Sequence, residues 1–474
     1  MTALIDADAD LVARLATALG PGAVLPPEPR YLEEPRGRYV GKAAAILRPA
    51  SVSAVQTAVR LCAEARVGIV PYAGGTGLVG GQVMAEGPVP VVLSVERLNR
   101  VRDLDTIDDV LTAEAGVILA DAQAAAAGAG RVFPLALASE GSARIGGLLG
   151  TNAGGVNVLR YGNARDLCLG VEAVLANGSV LNGLGRLHKN NTGYDLRHLL
   201  IGSEGTLGII TAASLRLYPA PRENGTAWIA VASPAAALDL LAAFRERLGG
   251  AILAFELIHE AGFAFLRETL PEVPLPAMDH SEWVVLAEVA DGADSHVAER
   301  FEAALVEALE RGLAADALVA QNAHQRDAFW TVRERIPEAN RLIGAISSHD
   351  ISLPLSRLAE FIDRAGPALR ALDPTVRINC FGHLGDGNLH YNVFPAKGRA
   401  RSDYDAIRGA VKETVYDLAH ALGGSMSAEH GIGRLKTSDM TRYVDPTKIA
   451  AMRAIKSALD PLGILNPGAV LPPS

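Results

Sequence analysis

Val376-Arg377-Ile378-Asn379-Cys380-Phe381-Gly382-His383-Leu384-Gly385-Asp386-Gly387-Asn388-Leu389-His390-Tyr391-Asn392-Val393-Phe394 sets two apolar runs on either side of a Gly-Asp-Gly-Asn core. Asp-Gly is a strong signal for a two-residue hairpin, because both central residues of a type I′ turn need positive φ. With Asp386-Gly387 as the turn, Gly385 faces Asn388, Leu384 faces Leu389 and His383 faces His390. Directly opposed residues have Cβ atoms about 5 Å apart, so two imidazoles there can hold one metal ion. Side chains alternate faces along a strand, so Asn392 shares the face of His390. A third candidate ligand follows in Ser427-Ala428-Glu429-His430-Gly431-Ile432-Gly433. Two histidines and one carboxylate form a common catalytic zinc set with positions left open for substrate.

A chain of 474 residues is long enough for two or three domains with sizeable cores. Its 49% hydrophobic and 20% charged content excludes a disordered chain. The formal net charge of −9 disfavours a nucleic-acid or anionic-membrane surface. Cys62, Cys168 and Cys380 show no paired spacing, which argues against a disulfide framework and fits a reducing cytosol. Met1-Thr2-Ala3-Leu4-Ile5-Asp6 has no basic region before an apolar run, so no signal peptide is expected. No uninterrupted apolar run approaches membrane-spanning length. A cytoplasmic protein is expected, with peripheral association to a membrane electron acceptor left open.

From the N-terminus, Asp8 to Leu19 reads as a helix stopped by Gly20-Pro21. A strand over Ala43–Leu47, a helix over Ser51–Ala65 with Ser51 as N-cap, and a strand over Val67–Val70 open an α/β region. Next comes Pro71-Tyr72-Ala73-Gly74-Gly75-Thr76-Gly77-Leu78-Val79-Gly80-Gly81. Five glycines in eight residues let backbone N–H groups converge on an anion, as phosphates require. The loop is neither a Walker loop nor the Rossmann Gly-x-Gly-x-x-Gly pattern. Two further glycine-rich segments, Ser142–Gly155 and Leu200–Thr211, flank a hairpin at Asn177-Gly178. Together they read as a wall of backbone donors around a long ligand with a diphosphate. From Thr226, strands over Ala227–Val231, Ile252–Ile258 and Trp283–Val289 alternate with helices over Pro234–Leu248 and Ser295–Arg311. Further helices follow over Ala323–Arg341, Leu355–Leu369 and Ser402–Leu422. This pattern predicts an antiparallel sheet covered on one face by helices.

The motifs Gly74–Gly81, Ile145-Gly146-Gly147 with Asn152-Ala153-Gly154-Gly155, Arg160-Tyr161-Gly162, Gly202–Gly208, Gly382–His390, Glu429-His430-Gly431 and Leu465-Asn466-Pro467-Gly468 occur in one order from about residue 40 onward. The chain thereby resembles the FAD-linked oxidase family with the vanillyl-alcohol-oxidase type of flavin domain. Within it, the chain resembles the D-lactate and D-2-hydroxyglutarate dehydrogenase branch. The resemblance implies an α+β fold: a two-part FAD-binding domain over 1–222, a substrate-binding cap domain over 223–424, and a segment over 425–474 that returns to the FAD domain. It implies FAD, with Gly74, Gly75, Thr76 and Gly77 at the pyrophosphate. Ser142, Gly146, Asn152 and Gly154 would line the flavin and ribityl region, Ile210 would present backbone to the ring, and Asn466 would join the cofactor site. No residue matches a covalent flavin histidine, so the FAD is expected to be non-covalent.

The resemblance also implies His383, His390 and Glu429 as ligands of zinc or another divalent metal, with His430 as general base. Glu429 and His430 are adjacent, so both reach one site only through a bend at Gly431 or an irregular turn. Arg333 matches the family's substrate arginine and Asn392 a substrate-contact asparagine. Two positions depart from the 2-hydroxyglutarate pattern: Pro337 replaces a threonine and Ser348 a lysine, which weakens recognition of a distal carboxylate. His349 and Arg341 are the candidates to compensate. The expected reaction is FAD-dependent, metal-assisted oxidation of a D-2-hydroxy acid, D-2-hydroxyglutarate or D-lactate, to the 2-oxo acid. The alternative is a non-redox flavin-adduct transferase of the alkyl-glycerone-phosphate synthase type. Expected partners are the small hydroxy acid, an electron acceptor (electron-transfer flavoprotein, quinone or another) and a second copy in a homodimer.

Overall fold

The computed structural model describes residues 3–37, 39–278 and 281–472. Met1 and Thr2, where the N-terminal reading begins, lie outside the described residues. The chain forms two compact units. The first comprises Met1–Gly154, Gly162–Ala220 and Glu429–Ser474, and the second Gly155–Tyr161 and Pro221–Ala428. The expected divisions lay at 222 and 424. The short piece Gly155–Tyr161, expected with the flavin domain, belongs to the second unit. There the Arg160 guanidinium donates to the Ala290 carbonyl.

The first unit is built on two sheets. One has the strand order Val24–Leu25, Ile46–Leu47, Val91–Ser94, Ile69–Tyr72, and its last three strands run parallel. The helix Val52–Ala65 precedes the Ile69–Tyr72 strand. The Ser51 hydroxyl caps it by accepting the Ala54 N–H at 3.2 Å, and Val55, Ala58, Val59 and Cys62 form its buried stripe. The expected strand over Ala43–Leu47 shrinks to Ile46–Leu47. The C-terminal segment returns to this sheet: Leu465 bridges Ile69 in parallel, and the Asn466 N–H donates to the Ile69 carbonyl at 2.8 Å. The second sheet is antiparallel, in the order Val101–Asp105, Val110–Glu114, Ile209–Arg216, Cys168–Val174, Val180–Gly183. All three cysteines are buried free thiols.

The second unit is one seven-stranded antiparallel sheet with helices. Its order is Asp316–Val319, Glu223–Val231, Trp283–Asp291, Ile252–His259, Arg377–His383, Asn388–Phe394, Ser347–Ser352. The polar edge strand Ser347–Ser352 has no apolar alternation and was not among the expected strands. The expected helix over Ser402–Leu422 is a 3-10 turn at Arg401–Tyr404 followed by a helix over Arg408–Ala421. Buried Tyr404 anchors the turn, its hydroxyl 3.0 Å from Thr375 Oγ1 and accepting the Ala396 N–H at 3.1 Å.

The long helix Ala323–Ile343 lays a polar stripe on one sheet face. Arg326 donates to Glu288 at 2.7 Å, the Trp330 indole N–H donates to the same carboxylate, Arg333 reaches Glu256 at 2.7 Å, and Asn340 accepts from Asn379 at 2.9 Å. Glu256, Glu288 and Asn379 are all buried, so each is a polar group that the helix must satisfy. Among the described residues, no helix is long and apolar enough to cross a membrane.

Candidate active site

The hairpin register differs from the expected one. Leu384–Asp386 is a 3-10 turn and Gly387 takes the left-handed conformation at φ +86, so the loop is longer than two residues. Phe381, not His383, pairs with His390, and His383 pairs across the other edge of its strand with Glu256. The shift is two residues, and strand side chains repeat every two, so the shift keeps every residue on its face. His383 and His390 remain diagonal neighbours on one face, with ring centroids 5.6 Å apart. Phe381 lies beside them, its ring centroid 5.0 Å from that of His390.

Glu256 sits at the centre of this face. Its Oε1 is 2.5 Å from His383 Nδ1, while its Oε2 takes the Arg333 Nε and Nη2 at 2.7 Å. Burial would push this carboxyl up, but the adjacent His383 and Arg333 charges overcome it and hold the carboxyl down at about 2. Arg333 also stacks over Phe381, 4.8 Å from the ring centroid. With Nδ1 committed to a carboxylate, Nε2 is the atom through which His383 could coordinate a cation. His390 Nδ1 lies 3.9 Å from Asp350 Oδ1, and the Asn388 amide donates to the same oxygen at 2.9 Å. The imidazole donors, one hydrogen-bonded to a carboxylate and the other 3.9 Å from one, suit a divalent cation such as zinc.

Asn392 joins the same face, opposite Asn379 on one side and Ser348 on the other. Its Oδ1 accepts the His349 N–H at 3.2 Å. Ser348 is exposed and shares a face with Asp350. His349 points the other way: its ring nitrogens meet the Tyr391 carbonyl at 2.7 Å and the Ser347 hydroxyl at 2.8 Å. It is therefore no substitute cation on the Ser348 face. Arg341 is exposed near the end of its helix.

The strand Ser347–Ser352 leads to the end of the unit, where the Ala428 N–H donates to the Asp350 carbonyl at 3.3 Å. Glu429 is the next residue and opens the last segment of the first unit. Glu429 and His430 lie in irregular chain, with Oε1 and Nε2 3.9 Å apart. Gly431 and Gly433 both have positive φ, +80 and +53. The Glu204 carboxylate fills the concavity so formed, accepting the N–H groups of Ile432 at 2.8 Å and Gly433 at 2.9 Å. A Cβ at Gly431 would lie 2.7 Å from Glu204 Oε1, so the turn needs glycine there. Burial pushes the Glu204 carboxyl up against those backbone hydrogen bonds. Arg434 then donates to the carbonyls of Gly80, Gly81, Val83 and Pro467 and to Asn466 Oδ1. Asn466 is buried, and its amide donates to Gly81 and Glu204 carbonyls at 3.0 and 2.7 Å. These bonds tie the loops together.

The glycine loop fits a diphosphate. The carbonyls of Gly75 and Gly77 accept from Gln82 at 3.3 and 2.8 Å, and the N–H groups of Gly74, Gly75, Thr76 and Gly77 donate to no protein acceptor among the described residues. A Cβ on Gly74 would collide with the Ser142 carbonyl, so backbone meets backbone there. Gly146 packs on Ala115, and Asn152, at φ +52, turns its Oδ1 to the Arg165 N–H at 2.9 Å. Gly154 ends the first segment of this unit. Ile210 is buried beside a register irregularity at Thr211.

Sequence reasoning missed Glu256, Asp350, Glu204 and Arg434. The signal for Glu256 was present: a lone glutamate inside Ile252-Leu253-Ala254-Phe255-Glu256-Leu257-Ile258 must be paired if the strand is buried.

Residues 220–470 match the family described as FAD linked oxidases, C-terminal domain, and residues 43–183 match the FAD binding domain. A mitochondrial D-2-hydroxyglutarate dehydrogenase of Arabidopsis thaliana is 37% identical over 439 residues, 92% of this chain and 76% of the relative. One of Bos taurus is 37% identical over 460 residues, 95% and 82%. A solved p-cresol methylhydroxylase superposes with TM-score 0.76 at 18% identity, covering 99% of both chains, and an alkyldihydroxyacetonephosphate synthase with TM-score 0.75 at 17% identity, covering 98% and 85%. At such identities these two solved structures speak for the fold alone. The flavin-domain architecture, the antiparallel second unit and the matched motifs agree, and the chain belongs to the FAD-linked oxidase family of oxidoreductases.

Proposed function

We propose that this protein is an FAD-dependent, metal-assisted dehydrogenase that oxidises a D-2-hydroxy acid to the 2-oxo acid. The observation that carries the reading is the face on which His383, His390, Arg333 and Asn392 meet, with Glu256 holding His383 so that Nε2 is presented. In this reading His383, His390 and Glu429 hold the metal. Bound FAD supplies the hydride acceptor, and a bound divalent cation, zinc first among the candidates, acidifies and orients the substrate hydroxyl. Arg333 binds the carboxylate next to the reacting carbon, and Asn392 orients the substrate. His430 takes the hydroxyl proton at Nε2, a task that suits an imidazole near neutral pH. Gly74–Gly77 and the Ser142–Gly154 segment would hold the FAD non-covalently.

The names of the relatives favour D-2-hydroxyglutarate as substrate, while serine at position 348 favours a shorter acid such as D-lactate. Electrons leave to an electron-transfer flavoprotein, a quinone or another acceptor. Three free buried thiols fit a reducing compartment such as the cytoplasm. The test is an anaerobic panel of D- and L-2-hydroxy acids, with flavin bleaching followed optically. Bleaching by the D series alone is expected. A flavin that no 2-hydroxy acid reduces would overturn the reading in favour of adduct chemistry.

A further inference from the structure

We infer that Glu256 is the positioning residue for both ends of the substrate site: it fixes the metal-binding imidazole of His383 and the carboxylate-binding guanidinium of Arg333 through its two oxygens. The inference rests on the ligand and substrate roles proposed above. The geometry is divided between the oxygens. Among the described residues Oε1 meets His383 Nδ1 alone, and Oε2 receives two Arg333 nitrogens. The residue is fully buried in the middle of an apolar strand, with sheet neighbours on both sides, so the carboxylate cannot swing to a third arrangement. A carboxylate behind a ligating histidine fixes its tautomer and ring orientation and raises its basicity. The same carboxylate takes one edge of the Arg333 fork, which leaves the opposite edge to face an incoming carboxylate. Phe381 closes the arrangement by stacking on Arg333 from the strand that carries His383. A residue needed for packing alone would be apolar here, since its neighbours on the same face of the strand, Ala254 and Ile258, are apolar and buried.

The test uses the full-length, FAD-bound protein and the variants E256Q, R333Q, E256Q/R333Q and H383A. Zinc affinity is measured by competition with a chromophoric chelator. Ligand geometry is read from the visible bands of protein loaded with cobalt(II) chloride, and carboxylate binding from the perturbation of the flavin bands by pyruvate. E256Q is expected to lower zinc affinity about 10–100-fold, the range found for residues behind metal ligands, and to shift the cobalt bands. It should also weaken pyruvate binding. R333Q should weaken pyruvate binding and leave zinc affinity near wild type. The double variant leaves no unpaired buried charge, so it guards against a folding defect, and it should repeat the zinc loss of E256Q. Wild-type zinc affinity and cobalt bands in both E256Q and the double variant would overturn the inference while H383A still loses zinc. If H383A also binds zinc normally, the ligand assignment itself has failed.

Discussion

Glu256 in the second unit and Glu204 in the first are both carboxylates withdrawn from water, and they are satisfied by opposite means. Glu256 is held by the Arg333 guanidinium and the His383 imidazole, and its carboxyl is driven down to about 2. Glu204 is held chiefly by backbone N–H groups of Ile432 and Gly433, and its carboxyl is driven up. Charge fixes the first, which therefore acts as a point of reference for other charged groups. Shape fixes the second, which staples an irregular loop into the form that presents Glu429 and His430. One residue type thus serves electrostatics in a sheet and conformation in a loop, according to what its oxygens meet.

The largest effect should come from removing a partner of Glu256. His383→Ala, like chelation, should abolish turnover and metal content while FAD stays bound, as metal analysis and the flavin spectrum will report. Metal and activity that survive His383→Ala would remove the electrostatic half of the contrast. At the end of the loop stapled by Glu204, His430→Ala should keep metal and flavin yet slow flavin reduction about 10²–10⁴-fold. Stopped-flow reduction at saturating substrate checks it, and an unchanged rate rejects the base assignment.

The two glutamates should also differ in the sign of their pH dependence. Glu256 has a folded value below its ordinary 4.5, so its stabilisation is present above pH 4.5 and lost as pH falls toward about 2. For a fully buried group the loss is on the order of 3 kcal/mol. Glu204 has a raised value, so its contribution is present below pH 4.5 and lost as pH rises through the folded value. Urea unfolding of metal-free protein between pH 5 and 3 should steepen the acid loss in wild type and flatten it in Glu256→Gln. The same acid loss in both proteins would mean that Glu256 is not charged by its partners.

A smaller effect is expected at Ser348, which shares a face with Asp350. Ser348→Lys should raise the 2-hydroxyglutarate-to-lactate ratio of kcat/KM by roughly tenfold to a hundredfold, the worth of one charge-assisted hydrogen bond. A fixed ratio would show that position 348 does not read the distal end of the substrate. The smallest change should be Glu204→Gln, which retains Oε1 as acceptor for Ile432 and Gly433 and should cost less than about 1 kcal/mol. Glu204→Ala strips the loop of its acceptor and should cost about 1–3 kcal/mol. Thermal unfolding compares the two, and equal losses would mean that charge rather than shape matters there.

The fold was legible where periodicity and caps were strong. Pro234–Leu248 occurs with the bounds the sequence pattern implied. The site was legible by residue type but not by register. The hairpin pairing erred because a 3-10 turn lengthened the loop, yet the shared face of His383, His390 and Asn392 survived, since a slip of two preserves alternation. Ser347–Ser352 was illegible because five of its six residues are Ser, His or Asp with little β preference of their own, and the strand exists through pairing with Asn388–Phe394. Glu204 was hidden because its partners lie more than two hundred residues away, and no local pattern announces a carboxylate that binds backbone.

The polar stripe of the Ala323–Ile343 helix has a consequence for how such chains can diverge. Its anchors Arg326, Arg333 and Asn340 stand seven residues apart, two turns each, with Trp330 between the first two. Every anchor must meet a buried polar group on the sheet, so the helix is a graduated rod whose marks cannot slide. A single inserted or deleted residue within it would rotate everything beyond by about 100° and leave Glu256 or Asn379 facing the wrong side chain. Point substitutions along the outer surface are local events, whereas length changes in this helix are barred, and sequence drift in this half of the protein is channelled into its loops.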